Sequence, residues 1–82
     1  MQKHSFWVYV LKSGRDESLY IGSTQNLERR FKAHNDGRNQ YTKAYRPWKI
    51  AYKEPFISRS ASVQRERFFK SGVGRNFLNS LL

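Results

Sequence analysis

An α+β domain with the element order ββαβαα is predicted by three observations. Two β-branched, tyrosine-bearing runs, Phe6–Leu11 and Leu19–Ser23, flank a polar turn and read as a hairpin. A third run, Trp48–Lys53, alternates apolar and basic residues with the period of a strand. The remaining apolar residues recur at helical spacing behind Asn and Ser residues suited to capping.

Phe6–Leu11, Phe-Trp-Val-Tyr-Val-Leu, is apolar at nearly every position. A strand without a wet face belongs in the middle of its sheet. Gly14–Ser18 is the connecting loop, and the short spacing makes the pair antiparallel. A helix starts near Asn26, a good N-cap, with Glu28 in its first turn. Leu27, Phe31 and His34 share one face of it, and Asn35-Asp36-Gly37 stops it. Residues 37–47 form a basic loop. In Trp48–Lys53, Trp48, Ile50 and Tyr52 face inward while Lys49 and Lys53 face water, which suits an edge strand. Glu54 before Pro55 reads as loop. Ser58 or Ser60 begins a second helix that ends near Ser71, with Gly72 and Gly74 as breakers. A short helix, Arg75–Leu82, is expected to fold Phe77, Leu78, Leu81 and Leu82 back onto the body.

With 82 residues the chain has room for one domain, taken as residues 1–82. It has no cysteine, which excludes disulfides and thiolate metal sites and suits a reducing, cytoplasmic setting. No apolar run approaches the ~20 residues of a membrane span, and Met1–His4 lacks the apolar core of a signal peptide. Sixteen Lys and Arg against six acids give a net charge of +10, spread along the chain. That balance points to a polyanionic partner, most simply nucleic acid. The oligomeric state is not encoded legibly, and a monomer is the favoured reading.

Phosphodiester hydrolysis requires an activated water, a cation on the phosphate and usually a divalent metal. Glu66 is the acid that asks for an explanation. On a helical wheel it lies on the stripe of Val63 and Phe69, and an inward carboxylate needs a cation: a metal, Lys70 at i+4 or a nearby Arg. Asp16, Glu17, Glu28, Asp36 and Glu54 are all accounted for as turn, helix-end or loop residues. Arg30 can clamp a phosphate oxygen with its planar fork, or be a solvated helix residue. His34, next to it at i+4, can position a proton, or pack on Leu27 and Phe31. Tyr9 and Tyr20 are ordinary strand residues taken alone. As a base a phenol costs about 4 kcal/mol to ionise at pH 7. His4 is given no role.

Together these segments resemble the GIY-YIG nuclease superfamily, in particular small stand-alone bacterial members similar to the N-terminal domain of UvrC. Val8-Tyr9-Val10 stands for the first motif and Tyr20-Ile21-Gly22-Ser23 for the second. Leu27–His34 resembles the helix bearing the catalytic arginine, here Arg30, and Arg65–Gly72 the segment bearing the metal-binding glutamate, here Glu66. The resemblance spans about residues 5–80. It implies a three-stranded antiparallel sheet flanked by helices and hydrolysis with one divalent ion, Mg²⁺ or Mn²⁺. It implies that Glu66 holds the metal, Arg30 neutralises phosphate charge, one of Tyr9 and Tyr20 activates water while the other orients it, and His34 assists. UvrC-type domains carry a lysine where this chain has Ser23, and many family members carry a late asparagine, for which Asn76 and Asn79 are both candidates.

DNA is the expected substrate. Arg29 and the loop residues Tyr41, Lys43, Tyr45 and Arg46 combine cations with stacking rings, a mixture suited to single strands, flaps and junctions. Without a separate recognition domain, structure-selective or weakly specific cutting is expected, with a role in repair or recombination. The rival is a nucleic-acid-binding module that does not cut. A third reading is a small RNA-binding or ribosome-associated protein.

Overall fold

Phe6–Ser13 (β1) runs between Leu19–Thr24 (β2) and Trp48–Phe56 (β3) in an antiparallel sheet of strand order β2-β1-β3. The central position is the one its two apolar faces require. The computed structural model describes residues 5–82; His4 lies outside them.

The hairpin turn between β1 and β2 is held by polar side chains. Ser13 Oγ accepts from the Arg15 and Asp16 amides, and Asp16 accepts from the Ser18 amide. Glu17 sits in the left-handed region at φ 66°. Helix α1, Leu27–Asn35, begins at the expected cap: Asn26 Oδ1 accepts from the Arg29 amide at 3.1 Å. Gly37, at φ +81°, follows its end. Leu27 and Phe31 of α1 pack with Tyr9, Leu11 and Trp48 on one face of the sheet.

The other face carries Val8, Val10 and Ile21, covered by Phe69 of α2 (Arg59–Lys70) and Leu78 of α3 (Gly72–Leu81). Phe69 and Leu78 are completely buried. Truncating either to Ala should cost about 2–5 kcal/mol by the usual transfer-plus-cavity arithmetic.

Several sequence expectations need correction. β3 runs on to Phe56, so Glu54 and Pro55 lie in a strand, opposite Val8 and Trp7. The edge tolerates the proline because an edge strand need not spend every N–H on the ladder. Glu54 is a partner, not a loop acid: Arg65 donates to both of its oxygens at 2.8 and 3.1 Å and Tyr52 donates at 2.7 Å. Nor does β3 keep one apolar side. Val10 pairs with Tyr52 and Leu11 with Ile50, so Ala51 is an extra residue. This bulge sends Tyr52 to the Phe69 face while Trp48 and Ile50 stay on the α1 face.

At the C-terminal end the break falls at Ser71, which both terminates α2 and caps α3, accepting from the Gly74 amide. Gly74 is inside the first turn of α3. Any Cβ there would be driven into the Phe68 carbonyl, so this glycine permits close helix approach. Of the four residues expected to fold back, Leu78 is buried and Phe77, 40% exposed, stacks on Phe69 with centroids 6.1 Å apart; Leu81 and Leu82 are 48% and 43% exposed.

Candidate active site at the β2 edge

Tyr9 points from β1 to the α1 face, directly across from Gly22 on β2. A Cβ at position 22 would lie 2.6 Å from the Tyr9 hydroxyl and 3.3 Å from the Tyr20 ring. Glycine therefore lets the two tyrosines converge, with ring centroids 6.4 Å apart.

Helix α1 brings Arg30 and His34, one turn apart, to the same hydroxyl. Arg30 Nε donates to Tyr9 Oη at 3.4 Å, and His34 Nε2 lies 3.1 Å from it. The other imidazole nitrogen, Nδ1, is 2.8 Å from Thr42 Oγ1. Thr42 is itself fixed. Its amide donates to Asn39 Oδ1, and its carbonyl accepts from the Trp48 indole at 2.9 Å. Tyr9, His34 and Thr42 are each at most 1% exposed. His34 is thus buried with both nitrogens satisfied, not merely packed on Leu27 and Phe31. Arg30 is exposed and Tyr20 half-buried, so these two present the cluster to solvent.

Burial and charge shift the cluster in consistent directions. Desolvation pushes the Tyr9 hydroxyl above its usual pKa, aided by Tyr20 and Glu66 and opposed by Arg30. Arg30 is raised, first through its bond to Tyr9 and further by Tyr20. His34 is lowered by burial and by the neighbouring Arg30 charge, which favours neutral imidazole.

Glu66 arrives from the opposite face of the sheet. Ser23 Oγ, on the edge strand β2, donates to Oε1 at 2.8 Å, and Lys70 Nζ reaches Oε2 at 2.7 Å. Glu66 is linked to the tyrosine cluster through its charge, one of those acting on Tyr9. The edge strand β2 thus carries one residue of each group, Tyr20 beside the Tyr9–His34 cluster and Ser23 on Glu66. The model of the GIY-YIG catalytic domain matches residues 5–79 of this chain.

The chain belongs to the GIY-YIG family. Among relatives, a UPF0213 protein of Bacillus licheniformis is 46% identical over 77 residues, covering 93% of this chain and 78% of that one. The UPF0213 protein YazA of Bacillus subtilis is 38% identical, covering 85% and 71%. The solution NMR structure of a UPF0213 protein from Bacillus halodurans superposes with a TM-score of 0.57 at 30% identity, covering 93% of this chain and 83% of that one.

Within this GIY-YIG domain, two participants escaped the sequence reading. Thr42 has no motif around it beyond Asn39, whose side chain organises the 3-10 turn Thr42–Tyr45 by accepting from the Tyr41 and Thr42 amides. Ser23, noted only as the missing lysine, is a direct partner of Glu66. The residues expected to touch nucleic acid divide. Arg29, Tyr41, Lys43 and Arg46 are exposed, with the Tyr41 ring 6.0 Å from Tyr20. Tyr45 is instead half-buried, tilted against Trp48 at 6.4 Å and grouped with the Tyr9–Leu11 core. Asn76 and Asn79 are exposed on α3. No helix of the described residues is long and apolar enough to cross a membrane.

Proposed function

We propose that this domain hydrolyses DNA phosphodiester bonds with one divalent ion, Mg²⁺ or Mn²⁺, at the β2 edge, with weak sequence specificity. The observation that carries the reading is Arg30: an exposed guanidinium held by a buried tyrosine–histidine–threonine chain, next to the half-buried Tyr20 of the edge strand. Such a pre-positioned cation is suited to charge that develops on a phosphate.

The donor set fits a hard cation only in one manner. Among the described residues no group of three or more His, Cys, Asp or Glu could hold a metal ion, so an ion on Glu66 would have few protein ligands. That suits an ion which keeps its waters and shares substrate phosphates. A divalent ion on Glu66 would supply Lewis-acid polarisation of the phosphate and acidify bound water. Lys70 would have to leave Oε2 first.

The rest is the chain's own work. Arg30 binds a non-bridging oxygen. Tyr20, the tyrosine open to solvent, faces the attacking water and takes its proton. Tyr9, buried and pushed above its ordinary pKa, holds Arg30, and neutral His34 keeps the Tyr9 hydroxyl in place. The ion pair of Glu66 with Lys70 also suits a domain that binds nucleic acid without cutting it.

The test uses branched, single-stranded and duplex DNA with Mg²⁺ or Mn²⁺. Tyr20→Phe should lower kcat by about 10²-fold or more, as loss of a proton acceptor does, with stability unchanged. Tyr9→Phe should lower both activity and stability. Cleavage surviving in Arg30→Ala and Glu66→Ala would defeat the assignment, and no cleavage by the wild type on any substrate would favour the binding module.

A further inference from the structure

The 3-10 turn that secures His34 from the inside presents its other side to a second feature. Arg15 from the β1–β2 turn, together with Gln40, Lys43 and Arg46, lines an open cleft of about 600 Å³ that also touches Asn35, Ala44 and Pro47. Three cations and no acid line it. The neighbouring acids are bonded elsewhere, Asp16 by the Ser18 amide and Asp36 by Lys32 at 2.9 Å, and their charges act on Arg15 and Arg46 without a direct ion pair.

Both guanidiniums are tethered. Arg15 Nη1 donates to the Ala44 carbonyl at 3.3 Å, and Arg46 Nε to the Lys43 carbonyl at 2.9 Å. A guanidinium has five N–H donors, so each tether orients the fork and leaves others available. Side chains ordered before binding lose less entropy on engaging an anion. The turn is also anchored to the loop: Ser13 Oγ donates to the Tyr45 carbonyl at 2.7 Å and the Gly14 amide to the Pro47 carbonyl at 2.8 Å. The cleft is therefore a rigid junction of two segments.

We propose that this cleft is a second backbone-binding site, which grips phosphates of DNA a few nucleotides from the bond being cut. The spacing follows from β1. From Tyr9 to Ser13 the strand advances four residues, about 13 Å at ~3.3 Å each. At ~3.4 Å of duplex axis per nucleotide that is about four nucleotides for a duplex lying along β1. A contact so far from the reacting phosphate binds ground and transition states alike, so it sets KM and leaves kcat alone. The choice of DNA and the kinetic arm rest on the nuclease reading; the binding arm does not.

The experiment measures anisotropy of a labelled 20-base-pair DNA duplex across a salt series, in a Glu66→Gln background so that nothing is cut. Arg15→Ala/Arg46→Ala should weaken binding and reduce the slope of log K against log salt by about 1.8, two phosphates at ~0.9 each. Arg15→Lys/Arg46→Lys should restore most of the slope, which separates charge from misfolding. With Glu66 intact, the double alanine variant should raise KM at unchanged kcat. Unchanged affinity and slope would overturn the proposal. So would loss of inorganic-phosphate binding with DNA binding intact, which marks a small-anion site, or stronger binding of duplex RNA than of DNA. A lost slope in a protein that never cuts DNA would sink the nuclease reading and leave the cleft standing.

Discussion

Lys70→Met should tighten divalent-ion binding at Glu66 and cost little stability. Glu66 already uses both oxygens, one on Ser23 at 2.8 Å and one on Lys70 at 2.7 Å. A hard cation needs the second of these, so it competes with the ammonium. The Lys70 side chain is 51% exposed and that of Glu66 22%. Solvent screens such a pair, and i,i+4 or exposed pairs are worth about 0.3–1 kcal/mol. Removing the competitor should therefore improve affinity by roughly two- to fivefold, since 1.4 kcal/mol is tenfold. Methionine keeps the apolar stem, so unfolding free energy should drop by less than ~1 kcal/mol. Mn²⁺ titration followed by water proton relaxation reads the affinity directly, without DNA or turnover. Glu66→Gln should abolish the signal and Lys70→Arg should leave it near wild type. Equal or weaker Mn²⁺ binding in Lys70→Met would refute the competition, and no Mn²⁺ binding in any variant would remove Glu66 as a metal ligand.

Three further predictions follow from the geometry. Gly22→Ala places a methyl against the Tyr9 hydroxyl, so Tyr9 must shift. The cost should be about 1–3 kcal/mol, as for other overpacked positions, with lost cleavage, and urea unfolding beside an activity assay checks both. His34 has a folded pKa below its unfolded value because of burial and Arg30. The folded state then resists protonation, so stability is full above about pH 6.5 and declines as pH falls from there toward the folded pKa; His34→Gln should flatten that decline in urea midpoints. For Glu54, burial alone pushes the carboxyl up, but hydrogen bonds from Arg65 and Tyr52 and the Arg65 charge outweigh it and leave the pKa lowered. It contributes stability above its unfolded pKa of about 4.3, which is lost as pH falls toward the folded value. Glu54→Gln should unfold more easily at pH 7 yet show a shallower acid transition in thermal melts.

The strand order and the site helix were legible because each rests on local chemistry. Phe6–Leu11 has no polar position, so it had to be central, and Asn26 is a cap by residue type alone. The motif residues could be named individually because four segments stand in the order and spacing of the superfamily pattern. The bulge at Ala51 was not legible, since an even alternation of Trp48, Ile50 and Tyr52 looks the same with or without an extra residue. Only the opposite face, where Phe69 meets Tyr52 edge-on with centroids 5.9 Å apart, decides it. The helix break was misplaced for a related reason. Glycine signals flexibility in sequence, while Gly74 serves close contact with Phe68, a fact of packing between α2 and α3. Thr42 and Ser23 act on residues 8 and 43 positions away in the chain, beyond any periodicity argument.

The two tyrosines differ in kind, although the motif presents them as equals. A proton acceptor must touch the water it deprotonates, and Tyr9, 1% exposed with its hydroxyl already shared between Arg30 and His34, has no open side. Its burial also works against ionisation, which raises the cost beyond the ~4 kcal/mol of an ordinary phenol. Tyr20 stands half-buried on the edge strand, with Arg30 near enough for its hydroxyl to add to the guanidinium's stabilisation. The division follows from strand position. A residue on the central strand is enclosed by neighbours on both sides, and a residue on the edge strand keeps one side open. In the proposed hydrolysis the central tyrosine would hold the arginine and the edge tyrosine would meet the water.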